Sequence, residues 1–209
     1  CKRTKMSRVY FTNSGSAAVE TAIKLTGKEI AVCGKHSYHG STILSANASD
    51  QDINKFWGIQ NPMSVHKFED VEDLISICKG LYDMSFVIIE PVVGAGGVYS
   101  WPSEIWKVLE EYQQKGGIVI LDETVTGFGK LGTMFAFEKI NFKPDMIVLG
   151  KGITNGYFPM GACLINERIE KSVKMFNHGF TYSGHPVGCA AALEVLKEID
   201  RRSEVVWVR

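Results

Sequence analysis

The chain has 209 residues, 45% of them apolar, which suits one large globular domain able to bury a core. Lys plus Arg and Asp plus Glu stand at 23 each and are spread along the chain, which argues against an electrostatic grip on nucleic acid or an anionic membrane. The five cysteines form no C-x-x-C pair and no apolar run nears the ~20 residues of a membrane span, so no disulfide framework, zinc site or bilayer segment is expected, and the setting reads as cytoplasmic.

In chain order, Arg8–Thr12 reads as a strand and Asn13-Ser14-Gly15-Ser16 as a turn opening a helix over Ala17–Leu25. A helix start with Ser hydroxyls beside it suits an anion, although Ser16 also suits a plain N-cap. A strand at Ile30–Cys33 and a helix at Val71–Gly80 follow. Phe86–Glu90 is the next strand, then a helix at Ser103–Lys115 between Pro102 and Gly116-Gly117, and strands at Ile118–Asp122, Met146–Leu149 and Met160–Ile165. Helices at Glu167–Met175 and Pro186–Asp200 close the pattern, the latter with Val187, Ala190, Leu193, Leu196 and Ile199 on one apolar face. Short apolar runs alternating with helices predict one α/β domain built on a mostly parallel sheet.

Three of the runs lead into functional-looking groups: Glu90-Pro91, Asp122-Glu123 and Lys151-Gly152. The carboxyl ends of parallel strands are where ligands bind in open α/β sheets, so these side chains are expected at one crevice. Gly127-Phe-Gly129-Lys-Leu-Gly132 matches G-x-G-x-x-G in letters only. It opens no clear helix, and Asp145 precedes its strand instead of following it, so a nicotinamide-binding oxidoreductase is set aside. Gly94-Ala-Gly96-Gly97 lacks the Lys-Ser/Thr of a P-loop, His36 and His39 show no metal pattern, and no nucleophile elbow is present.

Six blocks, in order, resemble those of the class III aminotransferases. They are Thr12–Lys24, Ser37-Tyr-His-Gly40, Ile89–Gly97, Leu121–Lys130, Gly150–Ala162 and His178–Pro186. The resemblance implies the large domain of a fold type I pyridoxal-phosphate enzyme over residues 1–209, with one antiparallel strand at Met160–Ile165. It implies that Lys151 holds the cofactor as a Schiff base and, once freed, moves the α-proton as a general acid/base. Asp122 is expected to pair with the cationic pyridine nitrogen and so keep the ring an electron sink. Gly15 and Ser16 are expected at the phosphate, Tyr38 stacked on the ring with His39 beside it, Glu90 in the hydrogen-bond network nearby, and Thr124 where the family usually packs Val. Thr181 is expected to complete the phosphate site of a neighbouring subunit, which makes a homodimer the working unit.

The implied reaction moves an amino group between an amine or ω-amino acid and a 2-oxo acid such as pyruvate. A glutamate-1-semialdehyde aminomutase-like enzyme, a racemase or decarboxylase on the same site, and a catalytically inactive relative are the alternatives. Two departures bear on this. Leu25-Thr26-Gly27 ends the first helix early, and Ala17 stands where many members have Glu. Family members are about twice as long, so a fragment lacking an N-terminal segment and a C-terminal small domain is expected.

Overall fold

The computed structural model describes residues 1–49 and 58–202. A seven-stranded sheet forms its centre, in the order β1 (Arg8–Thr12), β9 (Gly161–Ile165), β8 (Met146–Leu149), β7 (Ile118–Asp122), β4 (Ser85–Ile89), β2 (Ile30–Gly34) and β3 (Ser64–Phe68). Only β9 runs against its neighbours, β1 and β8; the other pairings are parallel. The expected strands all appear, with β2 one residue longer, β9 one residue shorter and β4 shifted by one residue toward the N-terminus. A small hairpin, β5 (Val92–Val93) with β6 (Tyr99–Ser100), stands apart.

The inner strands are apolar along most of their length, as at Phe86–Ile89 and Ile118–Leu121, because both faces are covered. In β4, Phe86 and Ile88 join the core under α1 (Gly15–Thr26), while Val87 and Ile89 join the opposite core. That second core is closed by Leu74 and Cys78 of α3 (Val71–Cys78) and by Ile105, Trp106, Leu109 and Tyr112 of α4 (Glu104–Gln114). Each such buried large side chain contributes roughly 1.5–3 kcal/mol.

α1 lies close on the sheet because Ala17, Ala18 and Ala22 line its buried side. It stops where Gly27 takes the left-handed conformation (φ 62°), its N–H turning back to the Lys24 carbonyl. Two further helices are too short to have shown a period in the sequence: α2 (Ile43–Asn47) and α5 (Ala136–Ile140). The last pair are α6 (Glu167–Ser172) and α7 (Pro186–Arg201). α7 forms as its pattern predicts, but the expected apolar face is not buried. Gly188 and Ala192 are inside, whereas Val187 and Leu193 are 58% and 57% exposed beside an apolar groove of 470 Å³.

Candidate active site

The parallel strands deliver their ends to one place. Asp122 pairs in register with Val148, and the Glu123 N–H donates to the Val148 carbonyl at 2.9 Å, so β7 and β8 finish side by side. Lys151 follows directly after β8. Its backbone sits in the left-handed region (φ 38°), which a non-glycine residue adopts at a cost of about 1–3 kcal/mol. Such strain persists only where the surroundings fix it. Lys151 is exposed to a cavity of 960 Å³ that it shares with Lys130, Asn155 and the glycines of the 127–129 turn.

Asp122 is buried. Its Oδ2 lies 2.8 Å from Nδ1 of the equally buried His39, and its Oδ1 accepts the Thr124 N–H at 3.0 Å. With Nδ1–H donating to the carboxylate, the other ring nitrogen of His39 is left buried without a hydrogen-bond partner among the described residues, as is Ser37 Oγ. A carboxylate withdrawn from water and only half surrounded by donors retains acceptor capacity for a cationic partner.

The turn at 13–16, where the resemblance places the phosphate, opens α1. Ser14, and not Ser16, caps α1: its Oγ accepts the Ala17 N–H at 3.1 Å. Ser16 is left for other work, and its Oγ accepts the Ser41 N–H at 3.3 Å. Gly15 opens the helix against Gly150 and Thr124. A Cβ on Gly150 would sit 3.1 Å from Gly15 Cα, and one on Gly15 would sit 3.2 Å from the Thr124 methyl. Gly40 (φ 124°) has no room for a side chain either, because a Cβ there would lie 2.4 Å from Ser16 Oγ. The α1 start, the 38–40 segment, the β7 end and the β8 end therefore meet, joining Gly15, Ser16, His39, Asp122 and Thr124 and bringing the main chain of Lys151 to the same spot.

Glu90 is buried beneath this group, with Oε1 accepting the Tyr38 N–H at 3.0 Å and Oε2 the Gly94 N–H at 3.1 Å. Burial pushes its carboxyl above the usual range, against the pull of His39 and those two N–H groups. Glu123 turns the other way from Asp122. It accepts Thr126 Oγ, Ala136 N–H and Phe137 N–H at 2.8–2.9 Å, anchoring the start of α5, with a carboxyl also pushed up by burial. It is a structural group, although its strand-end position in the sequence made it look equal to its neighbour. Thr181 stands apart, exposed on the segment before α7.

The histidines carry more than the sequence pattern suggested, because His39 meets an aspartate 83 residues away and no local spacing marks that pair. Ser14, Ser49 (its Oγ accepts the His39 N–H at 2.8 Å) and His178 also went unnoticed as supporting groups. Only the cap carried a local signal.

Residues 1–206 match the family model described as aminotransferase class-III. A gamma aminobutyrate transaminase 3 (chloroplastic) from Solanum lycopersicum is 37% identical over 98% of this chain and 47% of its own length. Vanillin aminotransferase from Capsicum frutescens is 35% identical over 95% of this chain and 52% of its own. Among solved structures, an amine transaminase from an uncultivated Pseudomonas species, in a PLP-bound internal aldimine form, superposes with a TM-score of 0.86 at 31% identity, over 96% of this chain and 54% of that one. The chain thus spans about half the length of these relatives.

Proposed function

The chain belongs to the class III aminotransferase family, and from that premise we propose that it transfers an amino group between an amine or ω-amino acid and a 2-oxo acid such as pyruvate, with pyridoxal 5'-phosphate held at Lys151. The observation that carries this reading is the buried Asp122–His39 pair at the end of β7, beside the strand that runs into Lys151. A buried carboxylate costs stability unless something cationic repays it, and a protonated ring nitrogen is such a partner. When bound, pyridoxal phosphate supplies an electron sink for the charge left on carbon as a proton departs.

The chain's own residues do the rest. His39 Nδ1–H and the Thr124 main-chain N–H fix Asp122 in one orientation, so that it holds a proton on the ring nitrogen. Ser16 Oγ and the free N–H groups at the start of α1 receive the phosphate, where the helix end favours negative charge. Gly15 and Gly150 keep that approach open. Tyr38 covers a ring face, and Lys151 Nζ carries the proton to and from the substrate carbon. In this reading the exposed Thr181 completes the phosphate site of a second copy, which makes the dimer the working unit.

The test is an absorption spectrum of the protein with pyridoxal phosphate, before and after borohydride, beside Lys151→Ala. The expected result is a near-visible band in the wild type that reduction fixes covalently and that the variant lacks. A folded wild-type protein without that band would overturn the proposal and leave an inactive relative as the reading.

A further inference from the structure

We infer that Glu90 is a positioning residue of the cofactor site: its carboxylate clamps the main chain at Tyr38 to the main chain at Gly94, and so fixes where the Tyr38 ring lies without itself touching the cofactor. The inference rests on the reading that pyridoxal phosphate binds beside Tyr38.

Both Glu90 oxygens are turned to main-chain donors, one to the Tyr38 N–H at 3.0 Å and one to the Gly94 N–H at 3.1 Å. These donors belong to different loops, one after β2 and one after β5. The Glu90 main chain is held separately from its carboxylate. Trp101 Nε1–H donates to the Glu90 carbonyl at 3.1 Å, and the Trp101 ring presses on Gly34, where a Cβ would come within 2.5 Å of it. Behind the clamp, Gly96 lies so close to the His36 carbonyl that no side chain fits.

The segment that Glu90 holds has no slack elsewhere. His39 is tied through its N–H to Ser49 and through its ring to Asp122, and Gly40 abuts Ser16. Tyr38 is the one residue of the three whose side chain is only half-buried and therefore free to meet a ligand. Among the described residues the ring makes no hydrogen bond or ring contact, so its placement follows its main chain. A buried carboxylate is an expensive way to hold two loops together, since burial disfavours its charge. That cost is repaid if the position of Tyr38 matters to what binds there.

Glu90→Gln separates this role from plain stability. The amide offers one acceptor and one donor, so one of the two main-chain N–H groups would face another donor. Trp101→Phe is the comparison, because it removes a structural bond to the same residue but leaves the clamp intact. Cofactor affinity and the induced circular dichroism of the bound cofactor are read for both variants. Exchange of the Tyr38 and Gly94 amide hydrogens is read in cofactor-free protein. Glu90→Gln is expected to keep the borohydride-fixed adduct at Lys151, bind pyridoxal phosphate about tenfold more weakly, change the dichroism, and speed exchange at both amides. Trp101→Phe is expected to lose stability with affinity and dichroism unchanged.

The inference is overturned if Glu90→Gln loses stability as Trp101→Phe does while affinity and dichroism stay at the wild-type values. It is also overturned if the two amides exchange freely in the folded wild type, a measurement that needs no variant. Absence of a reducible adduct in the wild type would instead remove the functional reading beneath it.

Discussion

Two segments that resemblance assigns to the same cofactor are held in very different ways. Residues 38–40 are gripped from all sides: Tyr38 by Glu90, His39 by Ser49 and Asp122, Gly40 by Ser16. The segment bearing Thr181 is held by little. His178 Nε2 lies 3.0 Å from Thr21 Oγ1 on α1, its ring packs between Phe176 and Phe180, and a Phe180–Ser183 turn shapes the rest, leaving Thr181 and Tyr182 exposed. Since the Thr21 hydroxyl gives its proton to the Ala17 carbonyl at 2.7 Å, His178 Nε2–H is the donor in that contact. The first segment is finished by contacts within the chain. The second is a shape whose binding groups face outward, as a segment serving another copy would be.

The sharpest way to break that contrast is at Asp122. Asp122→Ala strands the buried His39 and should cost about 3–5 kcal/mol in denaturant unfolding. Asp122→Asn keeps an acceptor and should recover most of that loss, yet lower amino transfer by about 10²–10³-fold. Equal activity in Asp122→Asn and wild type would reduce the pair to scaffolding. Next in size is Glu123→Ala, which leaves two main-chain donors at the start of α5 and the Thr126 hydroxyl unmet and should cost about 1–3 kcal/mol. Cofactor affinity should not move; a fall in it would mean that both carboxylates serve the site.

Thr21→Val tests the looser segment and should cost no more than about 1 kcal/mol. Its main effect should be faster proteolytic cutting around residues 178–184, with none around 38–40. The smallest effect is titration of His178, whose pKa is lowered by burial and by Lys24, with Glu20 opposing. A histidine depressed in the folded state contributes stability above its ordinary pKa and loses it as pH falls toward the folded value. Acidification should therefore loosen this segment, as read by proton exchange, and an NMR titration midpoint at or above the ordinary histidine value would contradict this.

The strands were legible because burial on both faces makes them apolar throughout, as in Phe86–Ile89 and Ile118–Leu121. β3 was not, since Ser64, His66 and Lys67 lie exposed on an edge strand and only Val65, in part, and Phe68 reach the core. Lys151 and Asp122 could be picked out because a charged residue directly after an apolar strand is conspicuous. Which of Asp122 and Glu123 faces the crevice could not be read, because adjacent residues point to opposite sides and α5, which takes Glu123, is too short to leave a pattern. Glu90's part was hidden for a different reason: it holds main-chain N–H groups, and every residue but proline has one.

The place of β9 also sets a timetable for biosynthesis. Among the described residues β1 finds its ladder partner in β9, Arg8 opposite Ile165, so β1 cannot join the sheet until β9 has left the ribosome. At about 5–20 residues per second, that is a wait of roughly 10–30 s. Through that interval Val9, Tyr10 and Phe11 travel as an unpaired apolar segment, a natural client for a chaperone and the stretch most exposed to mispairing with another nascent copy.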